Sequence, residues 1–383
     1  MNSKDSSVSR REILAGAGAF SIVAPGAVRG SQANSKISVG LIGVGNRGTY
    51  DATFVNADPR ARVTALCDIF EEKITAGIQK IKAEKPDAYQ DFEKLLASDV
   101  DAVIIATPVF EHPRMVEAAI QARKHIYCEK PAGADVAGCK RVIAAGRKAD
   151  PKKCISWGFQ QRYGPVYMEG FNRLKSGLIG DLLYAQAYWY SASGGGGAPA
   201  RTQEWPANPT QEFKIRNWYR FRELCGDFIV EQDCHNFDVL HWFLEGLPER
   251  AAGYGGRKLN RPGDTLDHLS LTFEWPNGLH VNYQAGVIMP TPGMVGEGFG
   301  GSKGSILTSR QRMARYEGPK EVELIKSPRD ITYDGLEAWL GMILSGKVEN
   351  VAERSALSTL IAILGRTALY ERREATWKKD IGV

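Results

Sequence analysis

The sequence predicts an α/β fold of two domains behind a short leader, and three observations carry that prediction. Over residues 36–150, short apolar runs alternate with amphipathic stretches. The first apolar run leads without a break into a glycine-rich turn, Gly43-Val44-Gly45-Asn46-Arg47-Gly48. Beyond residue 180 the pattern changes to strand-like runs, two of them joined by an Asn-Gly turn.

Taken in order, ISVGLIG (37–43), RVTALCD (62–68), VDAVIIAT (100–107) and KHIYCE (124–129) read as strands. Helices are expected near 48–57, 70–84, 111–123 and 135–149. Short, fully apolar strands that alternate with helices describe a parallel sheet covered on both faces. In the second half, runs at 182–190, 250–255, 268–275 and 278–286 read as strands of one sheet with a covered face. WPNG (275–278) reads as a hairpin turn, with Asn277-Gly278 supplying positive φ. Residues 227–244 and 353–373 each read as one long helix, and SGGGGAPA (193–200) as a glycine-rich lid or insertion.

The motif G-x-G-x-x-G stands in the context it requires, with a strand before it and a helix after. Gly43, Gly45 and Gly48 permit a tight turn and a close approach of the backbone to a pyrophosphate, beside Asn46 and Arg47 at the helix N-terminus. Asp68 lies twenty positions beyond Gly48, at the end of the second strand. A carboxylate there accepts the ribose hydroxyls of an adenosine and repels a 2′-phosphate, which favours NAD over NADP; its other reading is a helix cap. Two more stretches end strands: Ala106-Thr107-Pro108, followed by His112, and Cys128-Glu129-Lys130-Pro131. An open parallel sheet presents its ligand contacts at such C-terminal strand ends.

With GVGNRG, Asp68, ATP plus His112 and EKP (129–131) in view, the chain after its leader resembles the Gfo/Idh/MocA family (glucose–fructose oxidoreductase and inositol dehydrogenase). RNWYRFRELCGDFIVEQDCHNFDVLHWFL (216–244) is similar to the family's second-domain helix, and ATW (375–377) to its usual ending. The resemblance implies a Rossmann NAD(P)-binding domain over 34–158. It implies a substrate-binding and oligomerisation domain over 159–383, with a large, mostly antiparallel sheet whose last segment commonly returns to the first domain. It also implies that a helix motif D-x-x-x-H faces the lysine of EKP beside the nicotinamide. On this chain Lys130 matches the lysine and His235 the histidine. Glu231 stands where the family often has Asp, and Asp233 where it often has Gly.

On the expected helix, Glu231 and His235 are four apart and share a face, with Asp238 on nearly the same stripe. The expected chemistry is oxidation of a sugar hydroxyl. Hydride passes to the nicotinamide, His235 takes the hydroxyl proton, and the Lys130 ammonium stabilises the alkoxide and lowers the histidine's pKa. Arg162, Tyr163, Trp218, Tyr219, Arg220 and Asp238 are candidate sugar contacts, with a packed aromatic cluster as the other reading. Two alternatives use the same fold: an NAD-dependent glycoside hydrolase working by transient oxidation and elimination, and a non-catalytic NAD-bound sugar sensor.

Composition sets the outer limits. The 383 residues are 43% hydrophobic and 24% charged, with net charge +5. No Lys/Arg run with interleaved aromatics points to nucleic acid, and after the leader no run of 18 apolar residues points to a membrane span. Six cysteines show no metal-ligand spacing; a chain of this size needs no disulfide staples, and they are expected as free buried thiols. Residues 1–33 carry Arg10 and Arg11 ahead of a weakly apolar run (13–24) and a small-x-small exit at Ser31-Gln32-Ala33. This leader resembles the bacterial twin-arginine export signal. It implies the export machinery as a partner, a periplasmic or otherwise exported protein, and a cofactor loaded before export and retained. A sheet face left uncovered by its own helices would close a homodimer or homotetramer.

Overall fold

The computed structural model describes residues 36–191, 205–259, 262–287 and 293–383. The leader at 1–33 and the glycine-rich stretch at 193–200 lie outside the described residues.

Six strands form the first sheet: β1 (Ile37–Ile42), β2 (Ala61–Cys67), β3 (Asp87–Tyr89), β4 (Ala102–Ile105), β5 (His125–Cys128) and β6 (Ile155–Trp157). They run in the order β3-β2-β1-β4-β5-β6, every neighbour parallel. The order reverses between β1 and β4, which opens a crevice above their C-terminal ends, where doubly wound sheets bind ligands. Val39, Leu41, Val103, Ile104 and Ile105 are wholly buried, as expected of strands covered on both faces.

The second sheet holds β7 (Leu182–Tyr190), β8 (Arg250–Gly256), β9 (His268–Glu274), β10 (His280–Gly286), β11 (Met294–Gly301), β12 (Ser305–Ser309), β13 (Arg312–Glu317), β14 (Lys320–Lys326) and β15 (Ala375–Thr376). Their order is β14-β13-β12-β11-β7-β10-β9-β8-β15, and all pairs are antiparallel except β7 with β10. Burial follows the two-residue period. Leu269, Leu271 and Phe273 point inward, while Ser270 and Thr272 point out. The helices Cys234–Leu244 and Ala352–Glu371 cover the inner face. Phe237 meets the rings of Phe273 and Tyr283, and each such burial contributes about 1.5–3 kcal/mol. Gly365 lets the second helix approach: a Cβ there would sit 2.8 Å from the Phe273 ring. The outer face leaves Tyr184, Leu307 and Leu324 exposed.

Several elements depart from expectation. The stretch 227–244 is two helices, Phe228–Glu231 and Cys234–Leu244, separated at Gln232-Asp233. The first is launched from an unusual start: Gly226 and Asp227 both have positive φ, and Asp227 Oδ1 accepts from Phe228 N (2.6 Å). In the hairpin after β9 only Gly278 takes positive φ (+73°); Asn277 instead accepts from Leu279 N through Oδ1 (3.1 Å). β11 was not expected, because four of its eight residues are glycine. Side chains of β7 supply what those residues lack: a Cβ at Gly300 would meet the Tyr184 ring at 2.2 Å, and one at Gly298 would meet Gln186 at 3.2 Å.

The chain returns to the first sheet after β14. Helix Ile331–Ser345 places Leu336, Trp339 and Leu340 in one core with Val39, Leu41, Leu66 and Ile104. Residues 349–351 then line the edge of β6: Ile155 N donates to Glu349 O (2.8 Å) and Val351 N to Ile155 O (2.9 Å). All six cysteines are buried and free.

Candidate active site

The turn after β1 divides its three glycines between two jobs. Gly43 has φ +93°, and a Cβ there would lie 2.6 Å from the Ala106 backbone. At Gly48 a Cβ would lie 2.1 Å from Gly43 O. Both positions therefore close the turn against backbone. A Cβ at Gly45 would meet nothing within 4 Å, so this face is bare backbone open to an incoming group. Gly45 also caps the helix Asn46–Ala57 without a side-chain acceptor, leaving first-turn N–H groups for a ligand. A dinucleotide diphosphate fits this cradle. Asp68 stands at the rim, where Oδ2 accepts from Val44 N (2.9 Å) and Oδ1 from Phe70 N (3.0 Å). Each carboxylate oxygen keeps a second lone pair for a ribose hydroxyl.

The loops after β4 and β5 are tied together by His112. Its ring lies between Pro131 O (2.7 Å from Nδ1) and Thr107 O (3.0 Å from Nε2), and burial pushes its pKa down. His112 thus holds Thr107 and Pro108 against the EKP segment. Glu129 is turned inward: it accepts from Arg47 Nε (2.8 Å) and from Lys130 N (3.2 Å). Gly158 makes room for that carboxylate, since a Cβ would stand 2.6 Å from Glu129 Oε1. Arg47 also lies 3.4 Å from the buried Asp51, so one guanidinium serves two carboxylates and locks the glycine turn to EKP.

Above these loops lies a cavity of about 280 Å³. Arg47, Thr107, His112, Glu129 and Lys130 form one wall, and Trp189, Trp218, Tyr219, Glu231, His235 and Arg310 the other. Lys130 Nζ donates to Glu231 Oε1 (2.7 Å) and to Glu231 O (2.6 Å). Burial alone would lower the lysine's pKa; Glu231, Cys234 and Glu129 outweigh it and hold the ammonium above the ordinary value. His235 stacks on Trp189 (centroids 5.7 Å apart, planes at 15°), with Phe159 edge-on at 6.0 Å. Its Nδ1 is buried without a hydrogen-bond partner. Burial first, then the cations Lys130, Arg310 and Arg47, push its pKa well below the usual histidine value, so the ring is neutral. The break at Gln232-Asp233 corrects the shared helix face expected for Glu231 and His235. The glutamate belongs to Lys130, and the histidine reaches the cavity from the next helix.

Of the other candidates, Trp218 and Tyr219 line the cavity, with the Tyr219 hydroxyl toward Glu231. Arg162 and Asp238 do not. They form a two-pronged pair (Nε–Oδ2 2.8 Å, Nη2–Oδ1 2.9 Å), and Ser358 Oγ donates to the same carboxylate (2.7 Å). Tyr163 packs near Gly335, and Arg220 is buried, its carbonyl accepting from Asp264 N (2.9 Å). Trp189, Gln160 and Arg310 were not foreseen. The inward register of β7 could have signalled Trp189, whereas Arg310, at the β12–β13 turn, sits in no motif.

Comparison with known proteins agrees with this fold. Residues 37–156 match the profile described as an oxidoreductase family with an NAD-binding Rossmann fold, and residues 172–307 that of the GFO/IDH/MocA C-terminal domain. A myo-inositol 2-dehydrogenase of Thermotoga maritima is 31% identical over 365 residues, covering 90% of this chain and 99% of that protein. An inositol 2-dehydrogenase of Salmonella typhimurium is 30% identical over 247 residues, 64% of this chain; the chain spans 66% of that relative's length. The crystal structure of aldose-aldose oxidoreductase from Caulobacter crescentus, complexed with glycerol, superposes with TM-score 0.72 at 20% identity, over 89% of this chain and 99% of that one.

Proposed function

The chain belongs to the Gfo/Idh/MocA oxidoreductase family, and from that premise we propose that it oxidises a hydroxyl of a sugar or cyclic polyol with NAD. The observation that carries the proposal is the meeting of a neutral His235 and a charged Lys130 in one cavity above the C-terminal ends of the first sheet. A dinucleotide held by its diphosphate at the glycine turn would supply the nicotinamide as hydride acceptor. The chain's own groups do the rest. His235 takes the hydroxyl proton, and its depressed pKa keeps it ready as a base throughout the neutral range. The Lys130 ammonium stabilises the charge developing on the substrate oxygen. Glu231 keeps that ammonium protonated and aimed, and Trp189 fixes the imidazole plane.

Asp68 supports NAD over NADP, because a carboxylate at that rim repels a 2′-phosphate. The twin-arginine leader supports export of the folded chain with its cofactor retained, and the exposed Tyr184, Leu307 and Leu324 support a closed homodimer or homotetramer. Mass spectrometry of the natively extracted protein, followed by a screen of sugars and polyols at the reduced-nicotinamide absorbance, tests this function. We expect NAD(H) to travel with the protein, and Asp68→Ala to weaken NAD and narrow its margin over NADP. Tighter binding of NADP by the unaltered protein would overturn the reading of Asp68.

A further inference from the structure

The cations around the cavity are not equivalent. Arg47 faces Glu129 and Asp51, and Lys130 faces Glu231. Arg310 lines the same cavity with no carboxylate at ion-pair distance among the described residues; its polar neighbour is the Gln160 amide oxygen, 2.7 Å from Nη2 with the amide turned to satisfy both sides. Asp330 feels the charge of Arg310, but that carboxylate already accepts from Thr332 N (2.9 Å) and the Tyr50 hydroxyl (3.3 Å). Arg310 is half-buried and Asp330 shares in balancing its charge, but only one of its five N–H donors is taken by a partner among the described residues.

Position indicates which ligand. Gln160 follows β6, the strand farthest along the sheet from β2 and its Asp68. Through Gln160, Arg310 stands on the β6 side of the cavity that also holds His235. Its charge acts directly on His235. Trp189, Trp218 and Tyr219 supply flat apolar surface in the same cavity, as a sugar or cyclitol ring requires. We propose that Arg310 anchors an anionic substituent of the substrate, a carboxylate or a phosphate carried on the ring, so that this protein acts on acidic sugars rather than neutral ones. The inference rests on the oxidoreductase reading above and adds the class of substrate. The planar fork of an arginine suits either anion bidentately, whereas a neutral polyol offers it no charge-assisted bond.

The test is binding, kept separate from turnover. The full protein loaded with NADH is titrated calorimetrically with glucose, glucuronate and glucose 6-phosphate, then with the Arg310→Gln and Arg310→Lys variants. An anionic ligand should bind on the order of tenfold or more tighter than glucose, the scale of a charge-assisted hydrogen bond. Whichever anion shows the gain identifies carboxylate or phosphate. Arg310→Gln should erase the gain, Arg310→Lys should restore part of it, and the affinity for NADH should stay within about threefold. Equal or tighter binding of glucose overturns the proposal. So does an Arg310→Gln loss that falls on NADH instead, which would assign the arginine to the cofactor. Binding that follows this pattern in a protein that transfers no hydride would refute the oxidoreductase reading and leave the anion site standing.

Discussion

The two walls of the cavity are built differently. On the first-sheet side charge is balanced inside the protein: Arg47 between Glu129 and Asp51, and Lys130 on Glu231, which reaches across from the other wall. On the second-sheet side a neutral histidine lies on a tryptophan, and among the described residues Arg310 hydrogen-bonds an amide rather than a carboxylate. The contrast separates two tasks. A wall whose charges are already matched can serve any substrate that brings a hydroxyl to it. A wall whose arginine keeps donors free chooses among substrates.

The sharpest way to break this division is to remove the chemistry while leaving the walls. Lys130→Ala and His235→Ala should each cut hydride transfer by roughly two to four orders of magnitude, measured as single-turnover absorbance change. The double variant should lose little more than either alone, because both groups serve one proton transfer. Lys130→Ala should also raise the pKa of His235 by removing a like charge, moving the acidic limb of kcat/KM upward from its place well below pH 6.5. Losses that multiply, or a limb that stays put, would mean the two walls act independently.

A second comparison lies behind His235. There Glu297 accepts from Asn236 Nδ2 (2.6 Å) and Thr308 Oγ1 (2.7 Å), and burial pushes its pKa up to about 7 despite those donors. The folded chain thus holds this proton more tightly than the unfolded chain, whose carboxyl titrates near 4.5. Its contribution is fully present below that pH and is lost as pH rises toward 7. Glu297→Gln should remove this dependence. Urea unfolding at pH 5 and pH 8 should show the wild-type-minus-variant stability falling with pH by on the order of 3 kcal/mol. A difference independent of pH would show that Glu297 is ionised throughout.

The smallest expected effect sharpens the first wall itself. Gly48→Ala drives a Cβ into Gly43 O and should cost about 1–3 kcal/mol of stability, the usual scale of overpacking. Gly45→Ala meets open space and should leave the melting temperature nearly unchanged while weakening NAD by fluorescence titration. Equal effects at the two positions would contradict their division of labour.

The same contrast decides what was legible in the sequence. The first wall comes from residues adjacent in the chain, GVGNRG and EKP, each following an apolar strand, so periodicity and motif point to it directly. Its inner pairing was not legible: nothing local says that Glu129 turns to Arg47, 82 positions earlier. In the second half, the pattern of 227–244 conceals the break at Gln232-Asp233 and the positive φ of Gly226 and Asp227 that starts its first helix. β11 escapes because its glycines become strand-forming only under Tyr184 and Gln186 of a neighbour remote in sequence. Arg310 is positioned by pairing between β12 and β13 that no motif announces.

The return of residues 331–351 to the first sheet bears on how this molecule can be taken apart. Leu336, Trp339 and Leu340 complete a core begun by Val39 and Leu41, and the 349–351 segment occupies the free edge of β6. The nucleotide half is therefore not a transplantable module. Excised at residue 158, it would lose its lid of apolar side chains and expose a bare strand edge prone to self-association. Recombination meant to exchange substrate specificity should therefore cut inside the second sheet, between 182 and 326, rather than at the junction that sequence order suggests.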